Sequence, residues 1–185
     1  KPAYLGGFLV LVVFIILLGL NLKALDPDFG WHLRLGQVIT QSGIPRTDPF
    51  SYTMPSYSYV DVEWLANVIF AKTYSLLGFF GLAFFTTLLT VITLVIISGL
   101  ENWPLFILAT TPILSFIIVR PMILTWFFLA LLVTVIFNPQ RWKKWRLLAP
   151  ILFFLWANLH AGMAAGMALL IIFISVRAIR FKQLS

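Results

Sequence analysis

Residues 4–22 form a run of nineteen residues without a charged side chain, and similar runs follow at 79–100, 104–119, 121–137, 147–159 and 161–176. About 20 apolar residues in a helix span the ~30 Å hydrocarbon core of a bilayer. This repeated pattern constrains the chain to helices solvated by lipid. Composition agrees: 61% of residues are hydrophobic and 10% charged, against roughly 45–50% and ~25% in soluble domains. So few charges cannot build a water-facing surface. The first run is too long for a signal-peptide core and has no small-residue cleavage site, so it is expected to remain as an anchor.

The expected fold class is therefore all-α, a polytopic bundle of about six spans. It forms a single module over 1–185, with a first span at 4–22, an extracytoplasmic loop at 24–78 and five further spans within 79–180. The chain opens at Lys1 and ends at Ser185 just past an apolar run, as expected of a piece of a longer protein. Two runs are short. Thirteen residues rise only ~20 Å, so 147–159 and 161–176 are expected to meet in a recessed, partly wet apex with His160 at the turn. Gly162 and Gly166 make a small-xxx-small step suited to close helix packing.

A net charge of +7 raises the question of nucleic acid. The basic residues instead gather between apolar runs, at 141–146 and at Arg177, Arg180 and Lys182. That is the pattern of cytoplasmic loops beside anionic lipid, so membrane lipid and not nucleic acid is the expected partner. Without cysteine, no disulfide forms. Placing both basic clusters in the cytoplasm puts Arg120 and Gly78 outside and the N-terminus inside. Segment 61–77 then cannot cross, and becomes a second interfacial helix ending at Gly78.

Five of the six acidic residues lie between 26 and 63. An amphipathic surface helix is expected over 26–41, with Asp26 as N-cap, Pro27 in the first turn, and Trp31, Leu35 and Val38 as its apolar stripe. Ser58 to Asp61 resembles a capping box for the second helix. Asp28 and His32 stand four apart on one helix face, a spacing that suits a base or a metal ligand; Asp28 equally suits a helix dipole, and His32 an interfacial position. Asp48 before Pro49 reads as a turn. Glu63 shares a face with Asn67, and an acid at the membrane boundary is costly unless paired or used. Asp61 serves either as cap or as acid. Arg120 between two apolar runs fits lipid headgroups or a specific phosphate. Asn158 and His160 either satisfy backbone at the turn or face a substrate.

Three segments carry a resemblance: Asp26-Pro-Asp-Phe-Gly-Trp-His-Leu-Arg-Leu-Gly36, Ile44-Pro-Arg-Thr-Asp-Pro-Phe-Ser-Tyr-Thr53 and Val60-Asp-Val-Glu-Trp-Leu65. Arg120-Pro121 and Leu155-Trp-Ala-Asn-Leu-His-Ala-Gly162 extend it. Together they resemble bacterial membrane glycosyltransferases of the GT-C superfamily, whose relatives include protein O-mannosyltransferases and the lipid A aminoarabinose transferase. The resemblance covers the N-terminal module of that family, whose members continue through several more spans. It implies a bacterial inner-membrane protein with a cytoplasmic N-terminus and surface helices in its first outer loop. The implied activity is inverting transfer of a hexosyl or pentosyl group from a polyprenyl-phosphate donor to an acceptor.

By that resemblance Asp28, with Asp61 or Glu63 as a second acidic element, is the catalytic candidate. Asp28 is also the candidate ligand of a divalent metal, Mg or Mn. Arg120 and His160 would face the donor phosphate, with His32 and Asn158 as further substrate-binding candidates. The alternatives are a non-catalytic subunit or scaffold with a membrane protein partner, and a lipid or solute transporter. The apolar runs carry almost no ionisable residues, which weighs against coupled transport.

Overall fold

In a computed structural model, residues 2–54 and 56–183 are described, with side chains placed for 4–54 and 56–179. The chain is helical: α1 Pro2–Lys23, α2 Phe29–Ser42, α3 Trp64–Ser98, α4 Trp103–Ile113, α5 Met122–Ile136, α6 Pro139–Trp145, α7 Ala149–Leu159 and α8 Met163–Gln183. A short 3₁₀ turn, Arg146–Leu148, joins α6 to α7. Among the described residues the only extended pairing is the antiparallel Thr47–Ser58 bridge in the loop after α2. The side chains of Arg180 and Lys182 lie outside the described residues.

Two helices, α1 and α3, are long and apolar enough to cross a membrane, or three if α5 and the Pro139–Leu159 segment, bent by 111°, form one broken span. The expected six runs thus appear as helices of unequal length. The third run differs most. α4 has 11 residues, about 16 Å of rise; beyond Ile113 the chain tightens into turns in which the Ser115 and Phe116 N–H groups bond three residues back, to Pro112 and Ile113. The rest of that run reaches Arg120 as turn and irregular chain.

α3 has 35 residues and would rise ~52 Å if straight, well beyond the ~30 Å core. Gly78 divides it, at φ 62° and ψ −161°, a left-handed conformation that glycine reaches without steric cost. The 14 residues before Gly78 account for the excess length. They pack against α2, where Leu35, Gly36 and Ile39 are buried and Gly36 lies against Asn67 and Ala71. The buried face of α2 is therefore rotated from the expected Trp31–Leu35–Val38 stripe. Trp31 instead turns to the loop, with ring centroids 4.7 Å from Phe50 and 6.3 Å from Tyr59.

α1 runs antiparallel to the second part of α3. Gly6 lies against the Leu100 carbonyl, and Asn21 Nδ2 donates to Thr87 Oγ1 at 2.9 Å. Val13, Leu17, Val91, Leu94 and Phe106 form the core of that side. On the other side Phe128 and Phe153 stack on the fully buried Trp156. Gly166 lets the Trp156 ring approach α8, and Gly162 lies against Thr125, so the small-residue step does bring helices close.

A β-carbon at Gly36 would collide with the Asn67 carbonyl and meet Ala71 Cβ at 2.8 Å, whereas one at Gly30 meets nothing. Gly36→Ala is expected to cost about 1–3 kcal/mol through overpacking. Gly30→Ala should be neutral or stabilise by up to ~1 kcal/mol. Thermal unfolding in detergent micelles distinguishes the two.

Candidate functional site

The polar residues converge where the N-termini of α2, α3 and α5 meet the C-terminus of α7. The α2 helix begins at Phe29, later than expected, because Asp26 is not its N-cap. Asp26 Oδ1 accepts the Asp28 N–H at 2.7 Å, and Oδ2 pairs with Arg120 Nε. Arg120 Nη2 donates to Asp28 Oδ2 at 2.9 Å. The Asp26 side chain is 1% exposed, Arg120 37% and Asp28 62%. A buried carboxylate thus orients the guanidinium toward an accessible one. Among the described residues Nη1 has no hydrogen-bond or ion-pair partner, so it remains available to a third oxygen.

The second helix also starts later than its expected cap. Asp61 Oδ1 accepts the Glu63 N–H and Oδ2 accepts Asn67 Nδ2, both at 2.9 Å. With its amide nitrogen turned to Asp61, Asn67 presents Oδ1 to His32 Nδ1 at 2.8 Å. That oxygen is an acceptor, so the His32 proton sits on Nδ1. Asp61 is buried with both oxygens engaged; it positions Asn67 and His32 and does not stand open to a substrate. The expected Asp28–His32 pair separates, Asp28 toward Arg120 and His32 toward α3.

Glu63 lies between both histidines of the chain. Its Oε1 is 3.4 Å from His160 Nε2 and its Oε2 3.9 Å from His32 Nδ1. His160 Nδ1 accepts the Gly162 N–H at 2.9 Å and sits 2.8 Å from Thr125 Oγ1. The same Thr125 oxygen accepts Trp156 Nε1–H at 3.0 Å, which leaves the threonine hydroxyl to donate to His160. With Nδ1 an acceptor, the imidazole proton is on Nε2 and faces Glu63. Asn158 stands beside the cluster with its amide spent: Oδ1 accepts Trp64 Nε1–H at 2.8 Å and Nδ2 donates to the Phe154 carbonyl at 2.7 Å. It ties α7 to α3.

Burial lowers the His160 pKa below its ordinary 6.5; Glu63 opposes the shift, while His32 and Arg120 add to it. Between the lowered value and 6.5 the unfolded chain binds more protons than the folded one, so stability rises with pH there. The contribution is intact above pH 6.5 and declines on acidification below it. Unfolding midpoints measured from pH 7.5 downward should fall once pH drops under 6.5, and Glu63→Gln should depress the His160 titration further. Histidine proton resonances report that shift directly. In the loop, Tyr59 is pushed up to about 12, mainly by burial and then by Asp61, so its phenol stays neutral.

The expected divalent metal finds no ready donor set. Among the described residues no group of three or more His, Asp or Glu side chains converges to hold one, and the Asp28 oxygen nearest the cluster faces a guanidinium. Asp26 and Asn67 complete the arrangement. The first read from sequence as a cap and the second only as a neighbour of Glu63; the two acids flanking Pro27 and the arginine between two apolar runs were the available signal. No family model, curated protein or solved structure matches this chain.

Proposed function

We propose that this chain is a membrane glycosyltransferase module that transfers a sugar from a polyprenyl-phosphate donor to an acceptor hydroxyl at the extracytoplasmic face. The observation that carries the reading is the Asp26–Arg120–Asp28 arrangement beside Glu63 and His160, which places an accessible carboxylate and a cation side by side. In this reading the bundle crosses six times, with α2 and residues 64–77 on the outer interface and the 141–146 cluster in the cytoplasm. The excess length of α3 before Gly78 supports it, as does the position of the acidic cluster at the end of α5 opposite the basic one.

Asp28 takes the proton of the acceptor hydroxyl, whose oxygen attacks the anomeric carbon in one displacement with inversion. The bond to the donor phosphate breaks, and Arg120 Nη1 neutralises the charge developing on the leaving oxygen. Asp26 holds Arg120 for this role. Glu63 and His160 border the pocket, and the His160 Nε2–H turns to a phosphate oxygen when Glu63 yields it.

A second reading, a non-catalytic membrane subunit, draws on Asp61, Asn67 and Asn158, whose polar atoms are all used internally. Membranes containing the full chain, supplied with polyprenyl-phosphate-linked sugars, separate the two. Binding of the donor and appearance of free polyprenyl phosphate are expected. Stoichiometric retention of a protein partner without donor binding would favour the subunit.

A further inference from the structure

At the far end of α5 from the acidic cluster, α5, α6 and α7 line an open cavity of about 600 Å³. Its walls are apolar, with Leu131, Val135, Ile151 and Leu155 among them. Leu148, Ile151 and Leu155 are 46%, 57% and 42% exposed, so this apolar surface has no protein cover in the fold. Trp142 and Trp145 line it too, and the Trp142 ring packs edge-on against Phe173 of α8 at 4.9 Å. Arg141 and Arg146 complete the lining. Among the described residues neither arginine has an ion-pair partner, and residues 102–185 contain no Asp or Glu at all.

An apolar recess lined by tryptophan and by two unbalanced guanidinium groups matches one kind of molecule. Acyl chains fill the recess, indole rings sit at headgroup level, and the headgroup phosphate satisfies the arginines. We propose that this cavity is a specific site for a phospholipid of net negative headgroup charge. Lys143 and Lys144 lie between the lining pairs Arg141–Trp142 and Trp145–Arg146, and Lys144 Nζ lies 4.8 Å from the Trp145 ring centroid. Neither lysine lines the cavity, so a site predicts that charge at 141 and 146 counts and equal charge at 143 and 144 does not. The inference stands whether or not the protein transfers sugars.

The test is lipid competition on the purified full chain, read by native mass spectrometry. Phosphatidylglycerol should bind roughly 30-fold tighter than phosphatidylcholine with the same acyl chains, about fivefold for each arginine at the lipid surface. The double variant Arg141→Gln, Arg146→Gln should erase that preference, while Lys143→Gln, Lys144→Gln should keep most of it. Glycerol phosphate and inorganic phosphate should not displace the lipid. Equal binding of the two lipids would overturn the proposal, as would equal loss in the lysine variant or displacement by the free headgroup. The headgroup comparison on the unaltered chain decides the matter even if an arginine variant does not fold.

Discussion

Arg120→Ala is expected to destabilise the protein by about 3–5 kcal/mol, the range for removing one partner of a buried ion pair. The cost arises at Asp26, whose side chain is 1% exposed and whose Oδ2 would be left without its Arg120 partner. Asp28, 62% exposed, loses far less, since solvent screens such a pair to about 0–1 kcal/mol. Denaturant unfolding in detergent measures the change. Adding Asp26→Asn to Arg120→Ala should recover part of the loss, because the two residues share one interaction. Arg120→Lys should not rescue it fully: a single ammonium cannot reach both aspartates as the guanidinium fork does. A loss below 1 kcal/mol for Arg120→Ala would remove Asp26 as the anchor of the site.

Asp28→Asn is expected to do the reverse, leaving stability within about 1 kcal/mol and reducing sugar transfer by about 10²–10⁴-fold, the usual contribution of a general base. Asparagine keeps the shape and still accepts from Arg120 Nη2, but takes up no proton. Asp48→Asn is the matched control. Asp48 caps the turn after Pro49 by accepting the Phe50 and Ser51 N–H groups at 2.9 and 3.3 Å, and touches none of the cluster. Transfer rates for the two variants in the same membranes decide the point. If Asp28→Asn transfers at the wild-type rate, the proton goes elsewhere and Asp28 has no catalytic role.

Much of this arrangement follows from local signals. The first apolar run became α1, the Asp48 turn formed as read, and Gly78 interrupts the helix where a glycine after an apolar surface segment would. The convergence of Asp28, Glu63, Arg120 and His160 was legible because alternating directions of the apolar runs assign all four to one end of the bundle, three at helix starts and His160 at a helix end. Helix starts were less so. Asp before Pro supports a cap and an Asx turn equally well, and only the Arg120 contact, 94 residues away in sequence, selects the turn for Asp26. The rotation of α2 was hidden because Trp31 stays 39% exposed and packs its ring against Phe50 and Tyr59 of the loop, while His32 faces Asn67. Apolar composition also does not say where a helix ends. The run at 104–119 reads as one span, yet α4 ends at Ile113 and the chain goes on in three-residue turns at Ser115 and Phe116.

The central claim is that the acidic cluster and the tryptophan-flanked basic turn lie on opposite faces of the membrane. The chain has no cysteine, so a single introduced thiol reports its own side without background. Tyr52, 92% exposed in the loop over α2, and Lys143 in α6 are the informative positions. With Tyr52→Cys and Lys143→Cys made separately in intact cells, an impermeant maleimide should label the first at once and the second only after permeabilisation. Labelling of both from the same side would place the basic turn beside the carboxylates and contradict the account.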